Sequence, residues 1–96
     1  MYELEFHPLA QKEWDALEGS IQGELLAVLE RRQLNPFVPS ARLSFELAGC
    51  YKIKLQKRGI RLVYYPDGKR LIITVVSVGR REDSASYKAA TSRFED

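Results

Sequence analysis

The residues of this chain that could act on a substrate are mostly basic and concentrated between positions 49 and 81. This stretch contains nine Lys and Arg residues against a single carboxylate, Asp67. The nine are Lys52, Lys54, Lys57, Arg58, Arg61, Lys69, Arg70, Arg80 and Arg81. Such a local excess is expected of a surface that binds a polyanion, but a solvated face of ordinary Lys and Arg has the same composition. The positions of these side chains in the fold must decide between the two interpretations.

The overall composition conceals this segregation of charge. The formal net charge is only +2 over 96 residues, because residues 1–48 carry four basic and eight acidic side chains while residues 49–96 carry eleven and five. A chain of this length is expected to form a single domain, residues 1–96, and it can bury enough surface for one core without disulfides.

Other kinds of chemistry lack the residues that they need. Cys50 is the single cysteine and His7 the single histidine, so neither an internal disulfide nor the usual Cys/His zinc site can form. We therefore expect no metal and no cofactor. No segment approaches the roughly 18–20 apolar residues of a membrane span, and residues 1–8 do not have the pattern of a signal peptide. We expect a cytoplasmic protein without a membrane partner.

The hydropathy pattern predicts an α+β fold with the element order β-α-α-β-β-β-α. A strand at residues 2–6 is followed by two antiparallel helices, which we expect at Leu9–Leu17 and from Ser20, as the N-cap, to Asn35. Three runs rich in β-branched and aromatic residues then predict an antiparallel meander, and Ser84–Arg93 can form a terminal helix. The three runs are Cys50–Gln56, Ile60–Tyr65 and Arg70–Gly79. We expect an antiparallel sheet packed against the two N-terminal helices.

Two short segments are predicted to connect the strands of the meander. Lys57-Arg58-Gly59 joins the first two strands, and Pro66-Asp67-Gly68 joins the last two as a type I turn in which the glycine supplies a positive φ. The loop before the meander is expected to contain a short strand around Leu43–Leu47.

Strand periodicity places three of the basic side chains together. In the first strand of the meander the odd positions are apolar, which puts Lys52 and Lys54 on the opposite face. With Lys57 and Arg58 in the loop, Lys54 lies directly across from Arg61. Like charges opposite each other destabilise a sheet by up to ~1 kcal/mol, so a purely structural sheet would be expected to mix signs there. The clustering therefore favours the polyanion interpretation.

The same residues carry a family resemblance. The segments are Cys50-Tyr51-Lys52-Ile53-Lys54-Leu55, Gly59-Ile60-Arg61-Leu62-Val63-Tyr64 and Val76-Ser77-Val78-Gly79-Arg80-Arg81-Glu82, together with Ser84 and Tyr87. With the element order, they make the chain closely resemble the RelE toxins of bacterial toxin–antitoxin pairs over nearly its full length. A basic position that this family often has before the Lys-Ile-Lys strand has no clear counterpart here, because Phe45 and Glu46 occupy that neighbourhood and Arg42 lies farther back.

The resemblance implies a ribosome-dependent endoribonuclease that enters the ribosomal A site and cleaves the mRNA being translated. RNA carries its own nucleophile, the ribose 2′-OH. Such an enzyme therefore needs a base for that hydroxyl, cations for the pentavalent phosphorane and an acid for the departing 5′-oxygen. The product would be a 2′,3′-cyclic phosphate, and the reaction requires no metal.

On this resemblance the site comprises Lys52, Lys54, Arg61, Arg81 and Tyr87. Our hypothesis assigns Tyr87 as the general base, with Lys52 as the competing candidate, because neighbouring cations favour the deprotonated form of either group. Lys54 and Arg61 would stabilise the phosphate and the transition state. Arg81 would act as the acid or as a stabiliser of the leaving group, and stabilisation is the easier role because arginine is a poor proton donor.

Two other functions share parts of this pattern. ParE-like toxins have the same fold but inhibit DNA gyrase and are not nucleases, and the retained set of basic residues with Tyr87 argues against that function. A non-catalytic RNA-binding module would fit the charge but would leave Tyr87 without a role.

The resemblance also implies partners. RelE toxins are neutralised by a co-expressed, RelB-like antitoxin that wraps around the toxin, and the toxin–antitoxin complex represses its own operon by binding operator DNA. The toxin itself would contact mRNA and rRNA in the A site of the 70S ribosome.

Overall fold

Four strands and three helices follow one another in the part of the chain that the structure describes. The computed structural model describes residues 1–80 and 85–94. The strands are β1 (Glu3–Phe6), β2 (Tyr51–Leu55), β3 (Ile60–Asp67) and β4 (Ile72–Arg80). The helices are α1 (Pro8–Asp15), α2 (Gly19–Leu34) and α3 (Ala85–Phe94). This order confirms the predicted α+β fold class. No helix in these ranges is long and apolar enough to cross a membrane.

The sheet is mixed, which corrects the prediction of a wholly antiparallel one. Its strand order is β1-β4-β3-β2, and the last three strands in the chain form the predicted antiparallel meander. β1 instead runs parallel to β4, with Leu4 opposite Ile73. The helices α1 and α2 return the chain so that β2 enters the sheet in the direction of β1. β4 then has that direction as well, and it accepts β1 as a parallel neighbour.

The two N-terminal helices cover one face of the sheet and form the main core with it. Pro8 begins α1, and the His7 Nδ1 atom accepts a hydrogen bond from the Leu9 amide at 3.1 Å. Trp14 is buried, with its ring 5.4 Å from that of Phe6, and it anchors α1 in this core. Leu25 of α2 is fully buried in the same cluster.

The residue predicted to cap the second helix, Ser20, was wrong. α2 begins at Gly19 with Glu18 as its N-cap, and no side chain forms a capping bond. The Glu18 carbonyl accepts the first helical hydrogen bonds, from the amides of Ile21 and Gln22, both at 3.0 Å. Ser20 therefore lies inside the first turn and does not cap it.

The connection between the last two strands also differs from the prediction. Pro66 and Asp67 belong to β3, which continues past the end of β2 at that point, so the missing N–H of Pro66 costs no ladder bond on that side. The Asp67 carboxylate accepts hydrogen bonds from the amides of Lys69 and Arg70, at 3.0 and 3.2 Å. The positive φ of this turn, 58°, belongs to Leu71 and not to the glycine.

The loop before β2 contains two 3₁₀ turns, Pro39–Ala41 and Phe45–Leu47, where a short strand was predicted. Positive φ angles at Phe45 (57°) and Gly49 (94°) interrupt any extended run. A single antiparallel bridge between Arg42 and Tyr51 is what remains of strand pairing there.

The other face of the sheet is covered by α3. Its apolar cluster is smaller and contains Leu47, Cys50, Val63, Val76 and Ala90. Cys50 is fully buried, and burial raises the pKa of its thiol to about 12. The sheet thus lies between helices on both sides.

A hydrogen-bond network around Tyr64 joins α2 to the middle of the sheet. The Tyr64 hydroxyl donates to the Pro36 carbonyl at 2.8 Å and accepts from Arg32 Nη1 at 2.7 Å. The same Arg32 nitrogen donates to the Lys52 carbonyl at 3.2 Å. Burial raises the pKa of Tyr64, although Arg32 partly offsets the effect. The network fixes the end of α2 against the strand that carries Lys52.

Replacing Tyr64 with Phe should destabilise the fold by about 1–3 kcal/mol, because it leaves the buried Pro36 carbonyl without its donor. The free energy of unfolding in urea measures this effect. Tyr2→Phe is the matched control, since the Tyr2 hydroxyl has no hydrogen-bond partner within residues 1–80 and 85–94, and it should change stability by less than about 0.5 kcal/mol. Equal effects of the two substitutions would contradict the role of the network.

Candidate functional site

Three cations project from one face of the β2–β3 hairpin. Lys54 pairs directly with Arg61 in the β2–β3 ladder, which confirms the register derived from the hydrophobic pattern. Lys52 precedes Lys54 by two residues and therefore lies on the same face. Lys54 is exposed, whereas Lys52 and Arg61 are partly buried. We call Lys52, Lys54 and Arg61 the cationic face.

The local sequence explains why the hairpin presents these side chains. Gln56–Arg58 form one 3₁₀ turn, and Gly59 follows with a left-handed φ of 66°, which a residue with a β-carbon rarely adopts. This connection sets Leu55 opposite Ile60, both on the core side, so Lys54 and Arg61, the next residues along each strand, lie on the opposite face.

Tyr87 of α3 lies against the cationic face. The Cζ atom of Arg61 is 4.0 Å from the centroid of the Tyr87 ring, a cation–π arrangement. Tyr87 itself is partly buried, and the ring packs at the margin of the smaller apolar cluster. The terminal helix therefore returns over the cationic face.

Two neighbours of Tyr87 hold α3 on the sheet. Ser86 and Ala90 are buried, and the Ser77 hydroxyl donates to the Ser86 carbonyl at 2.6 Å. A β-carbon at Gly79 would lie 3.7 Å from Ser86, so the helix approaches β4 closely there. These contacts place the ring of Tyr87 at a defined height above β3.

Arg61 retains unused hydrogen-bonding capacity. Its Nε atom is buried and has no partner among the described residues. A buried donor without an acceptor costs free energy, and a guanidinium satisfies its donors well on the oxygens of a phosphate. The cationic face can therefore bind a phosphodiester, with Arg61 contributing more than its charge.

Another basic residue of the hairpin has a structural partner instead. Arg58 forms an ion pair with Glu24 of α2 at 2.6 Å, and this hydrogen bond raises the pKa of Arg58. Both residues line a shallow cleft of about 440 Å³ that also borders Lys54. The charge of Arg58 is thus largely neutralised beside the cationic face.

Four of the five residues predicted for the site are brought together by the structure. Lys52, Lys54, Arg61 and Tyr87 lie on one side of the sheet, on three different elements. The fifth, Arg81, lies outside the described residues. Within those residues, no group of three or more His, Cys, Asp and Glu side chains could hold a metal ion.

Sequence reasoning missed one pair that the structure brings together. Arg93 of α3 binds Glu13 of α1 through two hydrogen bonds, at 2.7 and 2.8 Å. Eighty positions separate the two residues, and neither belongs to a periodic or motif pattern. A basic residue in the last turn of a weakly apolar helix was the only signal in the sequence.

Comparisons with known proteins agree on one family. A family model described as ParE toxin of type II toxin-antitoxin system, parDE, matches residues 4–85. A putative RelE-like toxin protein of Escherichia coli is 44% identical over 93 residues, and the mRNA interferase toxin RelE of E. coli K12 is 36% identical over 93 residues. Each alignment covers 97% of both chains.

Solved structures show the same fold. A mutant of E. coli toxin RelE in the free state superposes with a TM-score of 0.87 at 35% identity, over 96% of each chain. The toxin in the intact E. coli RelBE toxin–antitoxin complex superposes with a TM-score of 0.81 at 34% identity, over 85% of this chain and 99% of that one.

The cationic face predicts a salt-dependent affinity for single-stranded RNA. Lys54→Gln and Arg61→Gln should each weaken binding and reduce the slope of log K against log salt by about 0.7. Arg58→Gln removes the same charge from an ion pair outside the face and should change the slope less. Fluorescence anisotropy of a labelled oligonucleotide from roughly 50 to 200 mM salt measures the slopes. Equal losses in all three variants would indicate diffuse charge and not a site.

Proposed function

This chain belongs to the RelE/ParE family of toxins of type II toxin–antitoxin systems, and from that premise we propose that it is a ribosome-dependent endoribonuclease that cleaves mRNA in the A site. The observation that carries the proposal is the placement of the Tyr87 ring against Arg61, beside Lys52 and Lys54. Two relatives at 36% identity are named mRNA interferases, which supports RNA as the substrate.

In the proposed reaction the substrate supplies the nucleophile. Tyr87, as the general base, takes the proton of the ribose 2′-OH, and the 2′-oxygen forms a bond to the adjacent phosphorus. The bond from phosphorus to the 5′-oxygen of the next nucleotide breaks, and that oxygen takes up a proton, so that in net one proton moves from the 2′-OH to the 5′-oxygen. The products are a 2′,3′-cyclic phosphate and a free 5′-OH, so no oxidant, metal or covalent enzyme intermediate is needed.

The cationic face has the charge that this reaction requires. Two cations directly opposite each other repel in the free protein, and a phosphate between them removes the repulsion. Because the phosphorane carries more negative charge than the bound diester, Lys54 and Arg61 stabilise it more strongly than the substrate. The open donor of Arg61 adds a directional contact once the guanidinium rotates toward the phosphate.

The remaining assignments follow from position. Lys52 lies on the same strand face as Lys54 and is the second candidate for the base. Arg81, which follows the end of β4 in sequence, would stabilise the leaving 5′-oxygen. A deep pocket is not required, because the ribosome would hold the mRNA against this surface.

Partners follow from the relatives. Solved structures of RelE with RelB antitoxins, including the intact E. coli complex, support a RelB-like antitoxin as the partner that neutralises this protein. We extend the proposal to a toxin–antitoxin complex that binds operator DNA, and to the 70S ribosome as the place of action.

A second function deserves a test because the matching family model is described as a ParE toxin. ParE-like toxins act on DNA gyrase and leave RNA intact. The retained set of Lys52, Lys54, Arg61, Arg81 and Tyr87 argues against that function here. Adding the protein to a translation reaction and mapping mRNA 5′ ends, with a parallel gyrase supercoiling assay, separates the two functions.

Tyr87→Phe should slow mRNA cleavage on programmed ribosomes by about 100-fold or more. The substitution removes the hydroxyl but keeps the ring against Arg61, so the cation–π contact remains as an internal control. Single-turnover cleavage with end-group analysis gives the rate and detects the 2′,3′-cyclic phosphate. A near-normal rate would remove Tyr87 as the base and leave Lys52.

Charge-preserving substitutions should separate a nuclease from a simple RNA-binding module. Lys54→Arg and Arg61→Lys keep the charge but change its shape and donor geometry. We expect both to bind RNA nearly as the unmodified protein does and to cleave at least about 10-fold more slowly, since transition-state stabilisation depends on donor placement. Unchanged cleavage in both variants would contradict these roles.

A further inference from the structure

Part of one edge of β4 has no neighbouring strand, and two side chains form hydrogen bonds to its backbone there. β1 pairs with β4 only as far as Phe6, which lies opposite Val75. Beyond that point the Val78 N–H donates to Glu13 Oε1 at 3.2 Å, and the Val76 carbonyl accepts from Arg93 Nη1 at 2.9 Å. Glu13 and Arg93 therefore replace the missing strand.

The same two side chains bind each other across this edge. Arg93 Nη1 and Nη2 lie 2.7 and 2.8 Å from Glu13 Oε1 and Oε2, a bidentate ion pair. The Arg93 side chain is only 12% exposed and that of Glu13 31%, against 38% and 46% for Arg58 and Glu24. We call the Glu13–Arg93 ion pair, with its bonds to β4, the edge latch.

A β-bulge in β4 makes the edge latch possible. The pairing of β3 with β4 shifts between Val63 and Tyr64, so that Val76 is an extra residue without a partner. Val76 then packs against Ala90 while Ser77 bonds to Ser86, so two consecutive β4 side chains contact α3. At the edge of β4 that lacks a strand partner, the Val76 carbonyl and the Val78 amide bond to Arg93 and Glu13 instead.

The edge latch connects the two helices that lie on opposite faces of the sheet. α1 contributes Glu13 from the main-core side, and α3 contributes Arg93 from the side of the cationic face. The latch holds the last turn of α3, whereas the Ser77–Ser86 bond holds its first turn. Tyr87 lies between them, about 9 Å along the helix axis from Arg93.

We propose that the Glu13–Arg93 ion pair is a positioning device that sets the tilt of α3 and thereby holds the Tyr87 ring against Arg61. This inference rests on the proposed nuclease function. Neither Glu13 nor Arg93 belongs to the cationic face, so their effect on the reaction passes through Tyr87. A displacement of about 1 Å at a reacting group can cost roughly 100-fold in rate, which is the scale at which a tilted helix would matter.

The kinetic test uses Arg93→Gln, which removes the charge and the bidentate contact with Glu13. We expect kcat for mRNA cleavage to fall roughly 10- to 100-fold while KM for programmed ribosomes changes little. Arg93→Lys keeps the charge without the bidentate geometry and should recover part of the loss. Arg58→Gln, which breaks the other Arg–Glu pair, is the matched control and should leave kcat unchanged.

A double substitution distinguishes positioning from general stability. In a Tyr87→Phe background, Arg93→Gln should cause little further loss of kcat, because the group that it positions is already absent. A full additional loss would overturn the proposal. So would a normal kcat in folded Arg93→Gln.

A structural readout keeps the inference testable apart from the nuclease activity. The Arg61 side-chain protons lie close to the Tyr87 ring and should show an upfield NMR shift, which Arg93→Gln should reduce and Arg58→Gln should not. If Arg93→Gln does not fold, Glu13→Gln replaces it, because glutamine keeps the size and one acceptor. If the unmodified protein does not cleave mRNA, the proposed function fails, and the NMR shift alone decides whether the latch positions Tyr87; an unchanged shift overturns it.

Discussion

Two positive charges placed directly opposite each other on neighbouring strands are the constraint on which the site depends. Lys54 and Arg61 repel across the β2–β3 ladder, and a sheet selected only for stability would place an acid in one of these positions. The protein contains this repulsion by covering one of the two cations with an aromatic face, that of Tyr87. The residue that relieves the charge in the free state is thus the residue proposed to remove the proton from the substrate.

The two faces of the sheet differ in how their helices are held. Under α1 and α2, a large core and the Tyr64 network hold the hairpin rigidly, and the backbone of Lys52 is itself tied to Arg32. Under α3, the apolar cluster is smaller, so polar contacts at both ends of the helix contribute more to holding it on the sheet. The strands therefore provide the cations, and α3, held near both ends, provides the tyrosine above them.

Local patterns in the sequence were sufficient to derive the hairpin that carries the site. Alternating apolar residues and a short loop determined the pairing of Lys54 with Arg61, because a slip of one residue would have placed Leu62 against a lysine. The bulge at Val76 could not be derived, because Val75, Val76 and Val78 are apolar alike and the sequence does not mark which of them is the extra residue.

Other features depend on contacts between distant segments. The parallel placement of β1 is set by how α1 and α2 return the chain, and not by any residue in β1. The left-handed Phe45 broke a pattern that otherwise resembled a strand. The edge latch joins positions 13 and 93, and this pairing could not be derived because residues so far apart in sequence are brought together only by the fold.

The buried cysteine has a practical consequence for anyone who handles this molecule. Cys50 is the single thiol in the chain, and with a pKa of about 12 it stays protonated throughout the neutral range. Since the thiolate is the reactive form, oxidants and alkylating reagents have little to react with while the fold is intact. A cysteine introduced on the surface would therefore accept a maleimide dye selectively, without removal of the native one.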